Sequence, residues 1–286
     1  MQTFGVSTAM LTPFTSNGDI DTVRLCAHAL SVLKNGADSV TLFGTTGEGA
    51  SIGADERASA IEALLAAGCP AEKIVIGIAA NSVSEVVRQV SDGRSYGIND
   101  YLLLPPFYFK EPSDAGLFDW HMQIFRKTEE QAQFILYHIP QVSGVGLPVH
   151  LVGRLATANG DRIRAIKDSS GSWDNARSLL ALGSVTVLVG DERLLHKAVA
   201  NGAGGAIAGM ANLYPDRMKR IVETAQEDKA LSEEVTKIIS VPVIPALKAV
   251  LAERTGDPEW ERVRPPLTPL GKDARAVVLG TDTGAA

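Results

Sequence analysis

Short runs of apolar, β-branched residues alternate along the chain with longer stretches in which apolar residues recur at helical spacing. The pattern predicts eight strands, at residues 4–11, 39–44, 73–80, 100–106, 133–140, 163–168, 185–191 and 204–211. Between the strands it predicts helices, such as those over 54–68 and 82–93. Ser82 and Glu85 form an N-terminal capping signal for the second of these helices.

Eight strands alternating with helices predict an α/β fold, a (β/α)8 TIM barrel, over residues 1–225. A doubly wound sheet is the alternative, but the first strand lacks the glycine fingerprint that usually follows it in dinucleotide-binding folds. From about residue 226 the strand pattern stops. The runs 231–256 and 269–280 have a helical pattern. We therefore expect a small helical C-terminal domain over residues 226–286.

Composition narrows the partners that this chain can have. Of its 286 residues 45% are apolar, which is enough for a sizeable core, and the net charge is −6. No basic block is present, so we expect no nucleic acid and no anionic membrane as a partner. No apolar run approaches the roughly 18 residues of a membrane span, and the N-terminus lacks a signal-peptide pattern. We expect a cytoplasmic protein.

Cysteines and histidines give no sign of a metal centre or of a disulfide framework. Cys26 and Cys69 lack any metal-binding spacing, and their number fits a reducing compartment. The five histidines form no H-x-H or H-x-x-x-H pair. We therefore predict no metal site.

Lys167 ends the sixth predicted strand, in the sequence "RAIKDSSG". In such barrels the catalytic groups lie at the C-terminal ends of the strands. A lysine amine there can attack a ketone, and the resulting imine withdraws electrons from the neighbouring carbon. The alternative is a solvated lysine at the end of the strand, paired with Asp168.

Polar groups at the ends of other strands are the candidate companions of Lys167. Tyr137 ends the preceding strand and can transfer protons, unless it is simply a core aromatic residue. The turn "GTTGEG" supplies the hydroxyl groups of Thr45 and Thr46, and its backbone N–H groups, including that of Gly47, form a nest that suits a carboxylate. An ordinary glycine-rich loop is the alternative for this turn.

Three further side chains at the predicted mouth are weaker candidates. Tyr108 follows the prolines of "LLLPP" on a projecting loop, where it can reach a partner subunit or remain a surface tyrosine. Glu192 and Arg193 follow the seventh strand and can bind a polar substrate tail. They can equally be the solvated start of the next helix, with Asp191 as its N-cap.

Five motifs, in order between residues 4 and 270, together resemble the dihydrodipicolinate synthase and N-acetylneuraminate lyase family. They are "GTTGEG", "YHIP", "AIKDSSG", "GDE" and "RPPLTPL". Each motif alone is modest, but the set is highly specific. The resemblance implies a TIM barrel with a C-terminal helical domain, assembled as a homotetramer built from dimers. It also implies no cofactor, since the lysine imine replaces a metal.

The resemblance assigns roles to individual residues. It implies that Lys167 forms the imine with pyruvate or another 2-oxo acid, that Tyr137 and Thr45 relay protons, and that Thr46 holds the substrate carboxylate. Tyr108 matches the tyrosine lent across the dimer. The resemblance further implies that the pyruvate site is lined by Gly190 and Ile207.

Three positions depart from the synthase pattern. Val142 stands where synthases carry an arginine for the carboxylate of the second substrate, and valine makes no such contact. Phe107 replaces a tyrosine, and His138 replaces an asparagine without an evident reason. The pattern around Val142 is more similar to that of the sugar-acid aldolases.

Three hypotheses follow from these observations. The first is a Schiff-base lyase, an aldolase or a dehydratase, that acts on pyruvate or a 2-keto-3-deoxy acid and binds the tail through Glu192 and Arg193. The second is dihydrodipicolinate synthase proper, which condenses pyruvate with aspartate semialdehyde. The third is a regulatory protein that binds a 2-oxo acid without catalysis, which has no need of an imine-forming lysine.

Overall fold

The computed structural model of the protein describes residues 3–280. Eight parallel strands pair in sequence order and close into a barrel, β1 to β8. Their bounds are Gly5–Ala9, Ser39–Leu42, Ile74–Ile78, Asp100–Leu103, Gln133–His138, Ile163–Asp168, Val187–Val189 and Gly205–Ala208. The predicted TIM barrel is thereby confirmed, and most strands are shorter at their ends than the apolar runs that indicated them.

Helices surround the barrel and continue beyond it. They are α1 to α12, with bounds Thr22–Lys34, Ala54–Ala66, Val83–Ser95, Asp114–Lys127, Pro140–Ser143, Val149–Asn159, Trp173–Ala181, Leu195–Ala200, Pro215–Thr224, Lys229–Ile239, Val243–Thr255 and Lys272–Leu279. The predicted cap of α3 is confirmed, because the Ser82 hydroxyl accepts the N–H of Glu85. None of the helices within residues 3–280 is long and apolar enough to cross a membrane.

The single helix expected over 231–256 is in fact two helices. α10 ends at Ile239 and α11 begins at Val243. Pro242 is the reason, because proline has no N–H to donate and disfavours helical backbone at the residue before it. The break matters for the site, since it places the end of one helix and the start of the next above the barrel mouth.

Alternation along the strands divides the barrel into an inner and an outer layer. The inward side chains form their own small cluster, made of Ala9, Val75, Leu102, Ile135, Tyr137, Ile139, Ala165, Leu188 and Ile207. Most of these side chains are aliphatic and fill the barrel interior. Tyr137 is the polar exception, and it stands one layer above Ile135, toward the C-terminal end of β5.

The C-terminal helices share a core with the last strands of the barrel. One apolar cluster joins barrel residues to residues of α10 and α11, including Val6, Val189, Ala206, Leu231, Val235, Leu247 and Leu251. The helices are therefore fixed over one side of the mouth. The boundary between residues 225 and 226, as a division between domains, stays a prediction, and residues 281–286 of that predicted domain lie outside the described part.

Candidate active site

Lys167 and Tyr137 are direct neighbours across the pairing of β5 and β6. Both side chains point into the barrel and both are buried, with 5% of Lys167 exposed. The Lys167 Nζ donates a hydrogen bond to the Tyr137 hydroxyl at 3.4 Å and lies 4.4 Å from the centre of its ring. The sequence prediction that these two residues meet at the strand ends is confirmed.

Lys167 is not paired with Asp168, so that alternative interpretation was wrong. Asp168 points to the outer face, where its carboxylate accepts the Ser170 N–H and the Asn175 side-chain amide, each at 3.0 Å. Strand alternation forces the two residues to opposite faces. Within residues 3–280, no carboxylate lies within ion-pair distance of the Lys167 amine.

Thr45 extends the polar contact from the loop after β2. Its hydroxyl lies 3.3 Å from that of Tyr137, so Lys167, Tyr137 and Thr45 form a row of three polar groups. The loop is tightly folded, because Phe43 and Glu48 at its two ends both adopt left-handed backbone with φ of 57° and 55°. Such conformations are costly for residues other than glycine and persist where the surroundings fix them.

A cavity of about 620 Å³ opens above Lys167. The structure brings most of the predicted site residues to its wall, namely Thr45, Thr46, Tyr137, Lys167, Gly190, Glu192, Arg193 and Ile207. Position 190 has no room for a side chain, since a Cβ atom there would lie 1.9 Å from the Ser169 hydroxyl oxygen. Gly47 does not line the cavity, because it packs beneath the loop against Met10.

Glu192 and Arg193 are held in different ways. The Glu192 carboxylate accepts the N–H of Met210 at 2.9 Å. Burial raises the pKa of this carboxyl, while Lys167 nearby acts in the opposite direction. Arg193 instead forms a two-pronged pair with Asp191, at 3.0 and 2.7 Å. Glu192 is therefore the more available of the two for a bound molecule.

Tyr108 lies apart from these residues. Its side chain is 73% exposed and packs edge-on against Phe109, with 5.3 Å between the ring centres. The loop is fixed by Asn81, whose side-chain oxygen accepts the N–H groups of Phe107 and Tyr108 at 2.8 Å each. Tyr108 is therefore not part of the site that a single chain forms.

The structure gives a physical role to His138, which the sequence left without one. Its Nδ1 accepts the N–H of Leu147 at 2.9 Å, and burial lowers the pKa of the imidazole. This bond ties the end of β5 to the segment that follows α5. Val142 lies within that helix, with its side chain at the rim of the cavity.

Sequence reasoning missed the buried ion pair of Glu48 and Lys248. The Lys248 Nζ lies 2.5 Å from the Glu48 carboxylate, and the other carboxylate oxygen accepts the Arg264 N–H at 2.8 Å. The pair joins the loop that carries Thr45 to α11. A lysine alone in the apolar stretch "VIPALKAVLA" was the sequence signal for it.

Comparisons with known proteins show the family and the fold that this chain is similar to. The chain matches the dihydrodipicolinate synthetase family over residues 2–281. It is 30% identical over 285 residues to an uncharacterized DapA-like lyase of Chloroflexus aurantiacus, which covers 96% of this chain and 94% of that protein. The crystal structure of dihydrodipicolinate synthase from Agrobacterium tumefaciens is 39% identical, with 97% of each chain covered and a TM-score of 0.94.

A more distant structure supports the fold alone. YagE, a prophage protein of the same family from E. coli K12, was solved in complex with pyruvate. It is 24% identical, with 96% of each chain covered and a TM-score of 0.84. The family resemblance that the motifs indicated is confirmed by the family match.

Proposed function

The chain belongs to the dihydrodipicolinate synthetase family, and we propose that it is a lyase that joins Lys167 to pyruvate or another 2-oxo acid through an imine. One observation carries this proposal. Lys167 is buried at the barrel mouth, faces a cavity, and has a tyrosine hydroxyl rather than a carboxylate as its partner. An amine held in this way is available to attack a carbonyl carbon.

The row of three polar groups suits the proton transfers of this chemistry. The Lys167 amine attacks the C2 ketone, and the carbinolamine loses water to give the imine. Tyr137 lies 3.4 Å from Nζ, within reach of the carbinolamine hydroxyl, and gives this group the proton with which it leaves as water. Thr45 lies 3.3 Å beyond and returns a proton to the Tyr137 oxygen.

The remaining predicted site residues hold the 2-oxo acid. Thr46 binds the carboxylate from the cavity wall, and Gly47, which packs beneath the loop, is left out of this part of the proposal. Gly190 and Ile207 leave room for the methyl end of pyruvate, while Glu192 accepts hydrogen bonds from a hydroxyl group. The chemistry needs no cofactor, since the imine itself withdraws electrons from C3.

Dihydrodipicolinate synthase proper is a second candidate, favoured by the relative from Agrobacterium tumefaciens that bears this name. Val142 argues against it. The side chain is 59% exposed at the cavity rim and offers no charge to the carboxylate of aspartate semialdehyde. Losing such a partner costs about 2–5 kcal/mol. We therefore place an aldolase or a dehydratase first.

We also propose that the protein works as a homotetramer in which Tyr108 contacts a partner's site. Tyr108 and Phe109 expose two large aromatic side chains side by side, which is unusual on a free surface. The loop backbone is held by Asn81, so the rings project from a fixed base. Light scattering of wild type and Tyr108→Ser would test this contact.

Borohydride trapping tests the proposed function. Protein incubated with pyruvate and reduced should gain one adduct per chain, and peptide mapping should place it on Lys167. Lys248 is the internal control, because it is equally buried but already paired with Glu48. An adduct on another lysine would contradict the proposal. The absence of an adduct with pyruvate and with longer 2-oxo acids would also contradict it, and would favour the hypothesis of a regulatory protein that binds a 2-oxo acid without catalysis.

A further inference from the structure

A second cavity adjoins the one above Lys167, and its walls are apolar. It has a volume of about 300 Å³ and lies at the C-terminal ends of β2 to β5. Both cavities are lined by Thr45, Tyr137, Val142, Ile244 and Leu267. A molecule bonded to Lys167 therefore enters this second space, here named the tail cavity, by passing the Tyr137 hydroxyl.

No free charge faces the tail cavity. Among residues 3–280 no lysine, arginine or histidine lines it, and its deeper walls include Leu102, Leu104 and Phe107. Glu48 is the single ionisable lining residue apart from Tyr137, and both of its carboxylate oxygens are occupied, by Lys248 and by the Arg264 N–H. A charged group buried here would lack a partner, which is strongly unfavourable.

Lys110 and Arg193 are two cations near the cavities, and each is held by other groups. Lys110 donates to the carbonyl oxygens of Phe107 and Ser143, at 2.5 and 3.0 Å, and does not itself line the tail cavity. Arg193, on the other side of the mouth, is held by Asp191. Neither cation points at the space beyond Tyr137 in this arrangement.

The rim of the mouth is apolar as well as exposed. Val142, Ile239 and Val243 line the Lys167 cavity and are 59%, 42% and 42% exposed, respectively. Large aliphatic side chains gathered around an opening, rather than scattered singly, are typical of ligand-binding grooves and of interfaces. This observation is independent of the walls of the tail cavity and indicates the same chemistry.

Resting on the proposed function, we propose that the aldehyde half of the substrate carries an uncharged apolar tail, branched aliphatic or aromatic, that occupies the tail cavity. The substrate is a 4-hydroxy-2-oxo acid. Once its C2 is bonded to Lys167, the C4 hydroxyl gives its proton to the Tyr137 and Thr45 relay and the C3–C4 bond breaks. Its electron pair moves to the imine, and the apolar aldehyde leaves.

The remaining steps balance the reaction. C3 of the enamine takes up a proton, and water hydrolyses the imine to release pyruvate and the free Lys167 amine. The water lost when the imine formed is thereby returned, so the net change is one 4-hydroxy-2-oxo acid to pyruvate and an aldehyde. The tail cavity also has the required size, because an engineered cavity of roughly 150 Å³ already holds a benzene molecule.

A panel of 4-hydroxy-2-oxo acids with one head and different tails tests the proposal. Phenyl and isopropyl tails should be cleaved with kcat/KM roughly 100-fold higher than a carboxymethyl tail or a dihydroxyethyl tail. Pyruvate release is measured for each acid. An equal or higher kcat/KM for the charged or the hydroxylated tail would overturn the proposal.

Val142 offers matched variants for the same panel. Val142→Arg places a guanidinium at the rim and should reduce the preference for the phenyl over the carboxymethyl tail by about 10-fold or more, whereas Val142→Leu should keep it. Lys110→Met should also leave the preference unchanged. Loss of carboxymethyl cleavage in Lys110→Met would show that Lys110 binds a charged tail, which contradicts the proposal.

Trapping with pyruvate separates this inference from the proposed function. If pyruvate is trapped on Lys167 while charged or hydroxylated tails are preferred, the apolar tail is wrong and the imine chemistry stands. If no 2-oxo acid is trapped, the imine chemistry and the apolar tail are both wrong. Trapping combined with the expected preference supports both.

Discussion

Between residues 3 and 280 two lysines are buried, and their surroundings differ. Lys248 on α11 is 0% exposed, and its ammonium contacts the Glu48 carboxylate, the Arg262 carbonyl oxygen at 2.5 Å, and the Phe14 ring at 4.5 Å. Lys167 is almost as deeply buried, yet its polar neighbour is the Tyr137 hydroxyl. The Lys248 amine is surrounded by partners, whereas the Lys167 amine faces a cavity.

The contrast shows that burial alone does not make a lysine reactive. Burial lowers the pKa of Lys248, but Glu48 acts in the opposite direction, and the ammonium has no open space before it. Its contacts join the loop that carries Thr45 to the C-terminal helices, so Lys248 stabilises the position of this loop. A nucleophilic amine also needs room for a carbonyl carbon, and the cavity above Lys167 provides that room.

The largest effect should come from Lys167→Met. We expect turnover to fall by about 10⁴-fold or more, because the covalent step is lost. The melting temperature should hold or rise slightly, since no carboxylate loses a partner. Steady-state pyruvate release and thermal unfolding of the same sample check both statements.

Lys248→Met is the matched control for that variant, since it removes the other buried amine. If Lys248→Met proved inactive but stable while Lys167→Met unfolded, the roles that we assign to the two lysines would have to be exchanged.

Lys248→Met should instead reduce stability by about 3–5 kcal/mol, because it leaves the Glu48 carboxylate buried without a counter-ion. Urea unfolding measures this loss. The double variant Glu48→Gln/Lys248→Met should recover a large part of it, since the amide is neutral and still accepts the Arg264 N–H. A double variant no more stable than the single one would show that packing, rather than charge, dominates at this position.

Tyr137→Phe removes the hydroxyl group that Lys167 has as its polar neighbour. We expect kcat to fall by about 10²-fold or more, the usual contribution of a positioned proton-transfer group. Pyruvate should still be trapped on Lys167, though more slowly, because the nucleophile remains. Single-turnover trapping measures imine formation, and steady-state rates measure the complete reaction. An unchanged kcat would remove Tyr137 from the proton path.

The sequence could predict the part of the site that follows from strand alternation. Lys167 and Tyr137 end neighbouring strands, so the closed barrel puts them side by side. Alternation also places Asp168 on the opposite face, but it could not predict Ser170 and Asn175 as the partners of this carboxylate, because those contacts depend on the residues after β6.

The ion pair of Glu48 and Lys248 was beyond sequence reasoning for a different reason. Its members are 200 positions apart, and nothing local specifies how α11 packs on the barrel. The sequence shows Pro242, which could have predicted the break between α10 and α11. The long apolar run around it led us to expect one helix instead. The apolar rim depends on the same packing, since Val142 comes from α5 whereas Ile239 and Val243 flank the break.

Acid should reduce the stability of the protein by a smaller amount, through His28. Its Nε2 contacts the Asn212 side-chain oxygen at 3.0 Å, and its ring packs edge-on against Trp260 near the C-terminal helices. Burial lowers the pKa of His28 to about 4, below the usual 6.5. The unfolded chain therefore binds the proton first, so stability is complete above pH 6.5 and is lost toward pH 4.

Because His28 is only partly buried, we expect its protonation to cost about 1–2 kcal/mol between pH 7 and pH 5. His28→Gln keeps an amide donor for Asn212 and removes the titration, so urea unfolding should depend less on pH in this variant. His121, whose pKa burial also lowers to about 4, titrates in both proteins, and the difference between them isolates His28. Identical pH dependence of the two proteins would show that protonation of His28 does not contribute to the loss of stability in acid.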